Sequence, residues 1–319
     1  MTTARADQRK MSEYLCFDIG GTAIKYGIVT SEEVFVMKDQ TATHSERGGP
    51  AIVSRVEEIA SEIFSKGYQI EGICLSTAGM VDPSEGKIIH ANDNIPDYTG
   101  VEWKRSLEQR FRMPCSVEND VYCAGLAEYG SGAAAGKNPV LCLTIGTGVG
   151  GCIIIDGKVL HGCGCSAGSV GYLKFGSATF ESDCSTAALV RRVTARKQAG
   201  MRTGSGQSPF EPRGAWDGKR IFEGILKEDA VCVEEVDRMC ENIGAGLANL
   251  CYIINPEMVV LGGGIMAQAN YLLPRIRCAM DRNLVPAVRN RTEIRPAVHQ
   301  NQAGMLGAFY HFREERLTV

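Results

Sequence analysis

One pattern occurs twice in the chain, as LCFDIGGTAIKYGIVTSEEV from Leu15 to Val34 and as LCLTIGTGVGGCIIIDGKVL from Leu141 to Leu160. Each copy is an apolar segment, a glycine-rich turn and a second apolar segment that ends at a polar turn, which predicts a β-hairpin. Leu, Cys, Ile and Gly coincide at four of the first six positions. Glycine turns alone could coincide by chance, but the shared register favours an internal duplication.

The chain length of 319 residues exceeds what one hydrophobic core usually organises, so we expect two domains, each opening with one hairpin. Helical periodicity predicts helices over residues 51–66, 121–129, 236–252 and 304–315, and short strands are predicted over residues 72–76, 116–118 and 258–261. This alternation predicts α/β layers, with mixed sheets because a hairpin joins neighbouring strands antiparallel. The glycines and prolines of residues 197–216 predict a loop rather than a domain linker.

The overall composition is that of an ordinary globular protein. Charged residues make up 22% of the chain and hydrophobic residues 44%, and the net charge of -3 is spread without a basic stripe, which argues against a nucleic-acid partner. No apolar run approaches the roughly 18 to 20 residues that cross a bilayer, and residues 1–11 lack the hydrophobic stretch of a secretory signal. We therefore expect no membrane partner and a cytoplasmic location.

The thirteen cysteines do not form a recognisable framework. Cys16, Cys74, Cys142, Cys152 and Cys251 sit inside apolar runs, where they are expected to be small buried hydrophobic residues. The count is odd and nothing indicates secretion, so disulfides are not expected. The only close pair, Cys163-Gly164-Cys165, lacks a second pair at ligand spacing and is interpreted as a loop rather than a zinc site.

Three glycine-rich turns each follow an apolar strand directly, namely Gly20-Gly21-Thr22, Gly146-Thr147-Gly148 and Gly262-Gly263-Gly264. Such turns aim backbone N–H groups inward and leave room for a phosphate chain. Asp18 ends the first of these strands, where its carboxylate could hold Mg²⁺ directly or through water, whereas Thr144 occupies the matching position of the second. Because only the first hairpin has a carboxylate at this position, we expect the first hairpin to bind the metal and the second to bind the phosphates. The third turn could let an adenosine approach the backbone.

Two common nucleotide-binding motifs are absent from the sequence. No Walker A pattern ending in Gly-Lys-Ser/Thr is present, which argues against a P-loop enzyme. No Gly-x-Gly-x-x-Gly fingerprint opens a βαβ unit with an acidic residue at the usual spacing, which argues against an NAD dehydrogenase.

Asp120 is the candidate general base. Phosphoryl transfer to an alcohol requires a carboxylate near the attacking hydroxyl. Asp120 meets this requirement because it stands at a strand end beside the polar Asn119 and near the start of a predicted helix. The alternative is that Asp120 only caps the N-terminus of that helix.

The chain resembles the ROK (repressor, open reading frame, kinase) sugar kinases of the actin-like ATPase superfamily, from Leu15 to Phe312. The matching pieces are DIGGT at Asp18–Thr22, ENDVYCAGLAE at Glu118–Glu128, LTIGTGVGG at Leu143–Gly151, AGSVGY at Ala167–Tyr172 and LGGGI at Leu261–Ile265. The resemblance implies a two-lobed actin-like ATPase (ribonuclease H-like) α/β fold with a central cleft. The expected small lobe comprises residues 12–118 and 303–319, the expected large lobe comprises residues 119–302, and residues 1–11 are expected to be disordered.

The resemblance also implies an ATP-dependent sugar kinase that uses Mg²⁺, with site residues assigned by their match to the family motifs. The expected nucleotide and phosphate ligands are Gly20, Gly21, Thr22, Lys25, Gly146, Thr147, Gly148, Gly262, Gly263 and Gly264, with Asp18 on the metal. The expected sugar ligands are Ala78, Gly79, Asn94, Asn119, Asp120, Ser169, Tyr172 and Glu181, with Asp120 as the catalytic base. The expected partners are a sugar and ATP, and a homodimer is one open alternative for the assembly.

The sequence departs from the family pattern at the sugar-binding segment. Most relatives share a Gly-Glu-x-Gly-His segment followed by a cysteine-rich zinc motif, whereas this chain has Gly168-Ser169-Val170-Gly171-Tyr172 and no such cysteines. We expect no structural zinc, and Tyr172 then has to orient the loop by packing or through its hydroxyl. Glu181 keeps the family's second sugar-binding glutamate, while Ser169 replaces the first and leaves the sugar undecided.

Three functional alternatives follow from these features. The tyrosine, the missing zinc motif and NQAGMLGAFYHF at Asn301–Phe312 resemble the β-glucoside kinase branch most, which phosphorylates a primary hydroxyl of a glucosyl unit. N-acetylmannosamine kinase is the runner-up, since related folds carry many substrates. A catalytically weak sugar sensor is the alternative of another class. Repressors of the family carry an N-terminal helix-turn-helix, for which residues 1–14 are expected to be too short.

Overall fold

The computed structural model describes residues 11–203 and 214–317. These residues form two compact units, one of residues 11–127 and 301–317 and the other of residues 128–203 and 214–300. Two sequence predictions fall outside the described residues, namely the disorder of residues 1–10 and the loop over residues 204–213.

The two units are built from strands, α-helices and short 3-10 helices. The strands are β1 (Glu13–Ile19), β2 (Ala23–Thr30), β3 (Phe35–Ala42), β4 (Ile70–Thr77), β5 (Met80–Asp82), β6 (Lys87–His90), β7 (Cys115–Asn119), β8 (Val140–Ile145), β9 (Val149–Ile155), β10 (Lys158–Val159), β11 (Lys174–Phe175), β12 (Ala178–Thr179), β13 (Met258–Gly262) and β14 (Glu293–Pro296). The α-helices are α1 (Gly49–Ser65), α2 (Trp103–Phe111), α3 (Asp120–Ser131), α4 (Phe180–Cys184), α5 (Thr186–Thr203), α6 (Gly218–Leu226), α7 (Ala230–Ile254), α8 (Ala269–Asn283) and α9 (Ala303–Leu317).

β1 is the central strand of the first unit, and both of its faces are buried. The sheet order is β3-β2-β1-β4-β7, with β1 antiparallel to β2 and parallel to β4. Leu15, Phe17 and Ile19 belong to one buried cluster with residues of α1 and α2, whereas Cys16 belongs to another with residues of α3 and α9. A strand that is apolar at consecutive positions thus receives a helical layer on each face.

β8 holds the equivalent place in the second unit. The sheet order is β10-β9-β8-β13-β14, with β8 antiparallel to β9 and parallel to β13. The main core of this unit combines the sheet with α4, α5, α6, α7 and α8. Both predicted hairpins are therefore confirmed, and the equal strand order of the two sheets supports the duplication.

The glycines of α9 allow this helix to approach its neighbours closely. A Cβ atom at Gly307 would overlap the backbone carbonyl of Cys123 in α3. Glycine at this position therefore lets α9 lie against α3 at a distance that no other residue permits. The sequence identified α9 as a helix but gave no reason for this contact.

The remaining predictions are mostly confirmed, and the observed ends of the elements differ from the predicted ends by at most six residues. The loop predicted over residues 197–216 is wrong in its first part, because α5 continues through Lys197 to Thr203. The alanines and arginines of this segment favour a helix, and Gly200 costs it only about 1 kcal/mol relative to alanine. β3 was missed because it is an edge strand whose outer positions are polar and exposed.

The cysteines behave as the sequence predicts. All thirteen are free thiols; Cys16, Cys74, Cys142, Cys152 and Cys251 are buried, and Cys163 is exposed. Burial raises the pKa of the Cys142 thiol well above its ordinary value, so this thiol stays protonated and packs as an apolar group. Among the helices of residues 11–203 and 214–317, none combines the length and the apolar character of a membrane span.

Candidate active site

The first hairpin places Asp18 among polar partners. Asp18 pairs with Lys25 across the antiparallel register and with Ser76 across the parallel one. The ammonium of Lys25 donates to Asp18 Oδ2 at 3.2 Å, and the hydroxyl of Ser76 donates to Oδ1 at 2.9 Å. The side chain of Asp18 is 15% exposed, so the carboxylate is oriented but still reachable.

Gly304 of α9 lies directly against this carboxylate. A Cβ atom at Gly304 would overlap the carboxyl group of Asp18, so only glycine fits here. The sequence predictions missed both Ser76 and Gly304 as neighbours of the site. The signal for Ser76 was its place at the end of β4, in line with Asp18; Gly304 gave no local signal, because its contact spans most of the chain.

The turn after β1 is braced by Thr43. The backbone N–H of Gly20 donates to the carbonyl of Ala23 at 3.0 Å, which closes the turn. Thr43 donates through its hydroxyl to the carbonyl of Gly20 at 2.6 Å and through its N–H to that of Thr22 at 3.0 Å. A Cβ atom at Gly21 would meet no atom within 4 Å, so the outer side of the turn is open to a ligand.

Asn119 caps α3, which leaves Asp120 available for chemistry. The side-chain oxygen of Asn119 accepts the N–H groups of Val121 at 2.9 Å and Tyr122 at 3.1 Å. Its amide nitrogen donates to the carbonyl of Gly79 at 2.8 Å and to Asp120 Oδ1 at 3.0 Å. All hydrogen-bonding positions of the Asn119 amide are thus used within the first unit. The structure therefore gives Asn119 an orienting role, and the predicted sugar contact would have to replace one of these hydrogen bonds.

Asp120 is held at one oxygen and free at the other. Oδ1 accepts the N–H of Val121 at 2.9 Å and the amide of Asn119, whereas Oδ2 has no hydrogen-bond donor in the described part of the chain. Desolvation of the carboxyl and the neighbouring charge of Asp18 raise the pKa of Asp120 to about 7, although the two hydrogen bonds oppose this shift. Asp120 can therefore exchange a proton near neutral pH.

Glu118 is a buried charged residue that the sequence predictions missed. Its carboxylate is fully buried, and Oε1 accepts the N–H of Asn119 at 2.7 Å. The ring of His311 in α9 lies 3.8 Å from Oε2. Glu118 thus fixes the backbone immediately before the Asn119-Asp120 pair.

The other predicted sugar ligands of the first unit, Ala78, Gly79 and Asn94, lie on two neighbouring loops. Gly79 has a positive φ of 99° and is tied to Asn119 through its carbonyl. Ala78 donates its N–H to the carbonyl of Ile19 at 3.2 Å. Asn94 is exposed on the loop after β6, and no hydrogen bond of its side chain occurs within the residues described. The buried hydroxyl of Tyr98 joins this loop to Thr77 at the end of β4.

The second hairpin turn is contacted by Glu181. The N–H of Gly146 donates to the carbonyl of Gly148 at 2.9 Å, and Thr147 is exposed. Glu181 Oε2 accepts the N–H of Val149 at 3.0 Å, and a Cβ atom at Gly148 would lie 2.5 Å from the same oxygen. The structure thus brings a predicted sugar ligand against the turn predicted for the phosphates.

The loop that carries Ser169 and Tyr172 is not held by the tyrosine. Tyr172 is 65% exposed, and its hydroxyl makes no hydrogen bond within the described residues, so the prediction that this side chain orients the loop is wrong. Phe180 performs this function instead. It is buried, its ring lies 5.7 Å from that of Phe175, and its backbone N–H donates to the carbonyl of Leu173 at 2.8 Å. Ser169 is partly buried, and its backbone carbonyl accepts the N–H of Tyr172 at 3.2 Å.

The third glycine turn lies beside the second hairpin. Gly262 ends β13, Gly263 has a positive φ of 92°, and Gly264 begins a 3-10 helix over Gly264–Gln268. This 3-10 segment leads directly into α8. A Cβ atom at Gly263 would overlap the carbonyl of Ile145, so glycine is required where this turn meets the end of β8.

A magnesium ion fits Asp18 only with help from other ligands. Within residues 11–203 and 214–317, no cluster of three or more His, Cys, Asp and Glu side chains is placed to hold a metal ion. Mg²⁺ is commonly held by one or two carboxylates together with water and substrate phosphates. Asp18 meets this requirement, since each of its two oxygens keeps a lone pair beyond its present hydrogen bond.

The sequence matches the ROK family over residues 14–315. It is 43% identical to an uncharacterized protein of Clostridium perfringens, over 95% of this chain and 99% of that protein. It is 31% identical to the β-glucoside kinase of Listeria monocytogenes, over 94% of this chain and 97% of the kinase. Among solved structures, a ROK family glucokinase of Streptomyces griseus in complex with glucose and AMPPNP superposes with a TM-score of 0.77, at 30% identity over 94% of this chain and 98% of the glucokinase.

Proposed function

The chain belongs to the ROK family and is a sugar kinase, and we propose that it transfers the γ-phosphoryl group of ATP to the primary 6-hydroxyl of a hexose or a β-glucoside. The glucokinase from Streptomyces griseus that shares this fold binds glucose and the ATP analogue AMPPNP. The relative from Listeria monocytogenes is named a β-glucoside kinase. A glucosyl unit is the part that these two substrates have in common.

The carboxylate of Asp120 is the observation that carries this proposal. One oxygen is fixed by Asn119 and Val121 and the other is free, while desolvation and the charge of Asp18 raise the pKa to about 7. A general base is most effective when its pKa lies near the working pH. In the proposed step, Oδ2 of Asp120 accepts the proton of the sugar hydroxyl while the oxygen of this hydroxyl forms a bond to the γ-phosphorus. The bond from phosphorus to the β,γ-bridging oxygen breaks, and ADP leaves.

The groups around Asp120 support this role by fixing its position. Asn119 links the carboxylate to the carbonyl of Gly79, and buried Glu118 holds the N–H of Asn119. A base held this way needs no reorganisation when the substrate binds, which is a large part of the advantage of a preorganised site.

Asp18, Lys25 and the turn at Gly20-Gly21-Thr22 are proposed to face the nucleotide from the first unit. When bound, Mg²⁺ would neutralise the charge on the phosphates. Asp18 supplies the carboxylate for that ion, and Lys25 carries a positive charge that both orients Asp18 and suits a phosphate. In the second unit the turns at Gly146-Thr147-Gly148 and Gly262-Gly263-Gly264 are proposed to receive the phosphates and the adenosine.

Glu181, Ser169 and Tyr172 are proposed to select the sugar. Glu181 offers a carboxylate at the second hairpin turn, and Tyr172 presents an exposed ring. An exposed aromatic ring can stack on the apolar face of a second sugar, which favours a β-glucoside over a free hexose. Ser169 offers a shorter, uncharged hydroxyl that can donate a hydrogen bond, in place of the family's glutamate, which only accepts when ionised.

Release of ADP should be measured with a panel of hexoses, N-acetylhexosamines and β-glucosides, with Asp120→Asn as the inactive control. We expect the highest kcat/KM for glucose or cellobiose, and a 6-phosphate product by ³¹P NMR. If N-acetylmannosamine is turned over fastest, the protein is an N-acetylmannosamine kinase instead. Saturable sugar binding without turnover of any sugar would indicate a sensor.

A further inference from the structure

Glu181 is carried by a helix too short to hold its own position. α4 comprises the five residues Phe180–Cys184, and Glu181 lies in its first turn. A helix of one turn is not stable alone, because its N–H and carbonyl groups lack partners inside the helix. The direction of the Glu181 carboxylate therefore depends on whatever holds the two ends of α4.

The N-terminal end of α4 is held by its own residues. The hydroxyl of Thr179 accepts the N–H of Ser182 at 3.2 Å, and the hydroxyl of Ser182 accepts the N–H of Thr179 at 2.9 Å. This reciprocal pair is a capping box. Phe180 anchors α4 against α7, because its ring occupies the space that a side chain at Gly246 of α7 would need.

The C-terminal end of α4 is held by an arginine from the next helix. Arg192 of α5 donates from Nη1 to the carbonyl of Asp183 at 2.9 Å, and from Nε to Glu235 Oε2 of α7 at 2.8 Å. A guanidinium can serve both acceptors because its donors lie in one rigid plane. Its side chain is 16% exposed and that of Glu235 is 6% exposed, so the link is shielded from water.

Glu235 has a second arginine that does not reach α4. Arg196 donates from Nη1 to Glu235 Oε1 at 3.1 Å. Burial of Glu235 opposes its ionisation, but the hydrogen bonds and charges of Arg192 and Arg196 outweigh it and hold the pKa of Glu235 below its ordinary value. The two arginines thus share one anchor, and only Arg192 continues to the helix that carries Glu181.

We propose that Arg192 is a positioning residue for the sugar site, which couples the buried carboxylate of Glu235 to the end of α4 and so directs Glu181 onto the Gly148-Val149 turn. The proposal rests on the sugar-binding role of Glu181 given above. Loss of Arg192 leaves the capping box and the hydrogen bond from the N–H of Ser185 to the carbonyl of Glu181 intact, but removes the side-chain tie on the carbonyl of Asp183. Glu181 then samples other directions and sugar affinity falls, while the turn proposed for the phosphates keeps its own hydrogen bond from Gly146 to Gly148.

The test compares Arg192→Met with Arg196→Met, which removes the same charge from the same partner. KM values for glucose, cellobiose and ATP are measured for both variants, alone and combined with Glu181→Gln. We expect Arg192→Met to raise the sugar KM about tenfold, the size expected when one hydrogen bond to a charged group is lost, with the ATP KM unchanged. Arg196→Met should leave both KM values near wild type, and Arg192→Met should add nothing in the Glu181→Gln background. Equal sugar KM values for the two arginine variants, or effects that multiply with Glu181→Gln, would overturn the proposal.

Two further measurements keep this test decisive. If Arg192→Met does not fold, Arg192→Lys replaces it in the test. Lysine keeps the charge beside Glu235 but lacks the planar fork of the guanidinium, so a smaller rise in the sugar KM is expected. If Glu181→Gln leaves the sugar KM unchanged, the sugar role of Glu181 is wrong, and the positioning role is read from hydrogen exchange instead. Faster exchange of the amides of residues 180–185 in the Arg192 variant, but not in Arg196→Met, would support it. Unchanged exchange would refute it.

Discussion

The two glycine-turn hairpins have the same fold, but one equivalent position holds a charged residue in the first hairpin and an uncharged residue in the second. In the first unit this position is Asp18, whose neighbours on the adjacent strands are Lys25 and Ser76. In the second unit it is Thr144, whose neighbours in the same registers are Gly150 and Gly262. The first position is therefore filled with charged and polar groups, and the second is lined with bare backbone.

This difference supports the separate roles proposed for the two hairpins in the reaction. A carboxylate with a lysine and a serine can hold a cation and adjust the pKa of a nearby acid. Bare backbone beside a glycine turn offers N–H groups and space, which suit a phosphate or a sugar. A duplicated scaffold thus fixes where functional groups stand, and the residue at one register position decides what they do.

Removal of the proposed general base should have the largest effect. Asp120→Asn is expected to lower kcat by on the order of 10² or more, because the side chain can no longer accept the hydroxyl proton. Sugar binding should persist, since the amide oxygen can still accept the hydrogen bonds from Asn119 and Val121. Turnover near the wild-type rate would remove Asp120 from the mechanism.

Thermal unfolding of this variant provides the control for folding. The pKa of Asp120 is raised from 3.8 to about 7 in the folded protein, so ionisation of this carboxyl destabilises the fold as the pH rises through that interval. The Asp120→Asn side chain does not ionise, so this variant does not lose stability in this way. Its Tm at pH 8 should therefore be no lower than that of the wild type, and a clear decrease would mean that kcat had fallen through misfolding.

The comparison of the hairpins is tested most simply by substituting the equivalent residues. Asp18→Ala should lower kcat by about tenfold to a hundredfold and raise the Mg²⁺ concentration needed for half-maximal rate, because the carboxylate for the metal is lost. Thr144→Ala is the matched control and should change either value by less than about twofold, as expected for a site without a charged partner. Equal losses in the two variants would contradict the division of roles.

A smaller effect is expected from the second turn. Gly148→Ala would place a methyl group 2.5 Å from Glu181 Oε2 and so displace this carboxylate. We expect the sugar KM to rise about fivefold with little change in kcat, since the displacement is confined to one ligand. Gly164→Ala adds the same methyl group on an exposed loop and should be neutral. A rise in the ATP KM alone would mean that the added methyl group disturbs the phosphate turn and not the sugar ligand.

Zinc should have no effect at all. Tyr172 stands where the family's histidine would bind the metal, and Gly176–Ser185 offers only Cys184, which is buried. The purified protein should contain no stoichiometric zinc and should keep its activity in chelator once Mg²⁺ is resupplied. One equivalent of zinc, lost together with activity, would show that Cys163 and Cys165 had formed an alternative site.

The sequence was sufficient for the hairpins and for Asp120 because these depend on local patterns. The period of apolar residues and the glycine turns define both hairpins, and a strand end followed by a helix identifies the Asn119-Asp120 pair. The pattern left open whether Asp120 was base or cap. The structure gives the cap to Asn119, and the role of Asp120 as the base stays a prediction.

The contacts that tune the site could not be predicted, because they join distant parts of the chain. Gly304 meets Asp18 across more than 280 residues of sequence, and Arg192 reaches Glu235 from another helix. No local period or spacing encodes such pairs. The prediction for Tyr172 failed for a related reason, since its side chain is exposed and the buried Phe180 does the packing instead.

The pH dependence of the rate at subsaturating sugar and ATP, in the wild type and in Asp18→Asn, tests the central claim most directly. This rate reports the pKa of the base in the free enzyme. The wild-type rate should fall below a pKa of about 7. In Asp18→Asn burial still raises the pKa of Asp120, but the like charge is gone, so the rate should fall only at lower pH. Profiles that bend at the same pH would contradict the claim that the first hairpin supplies the charge that tunes the base.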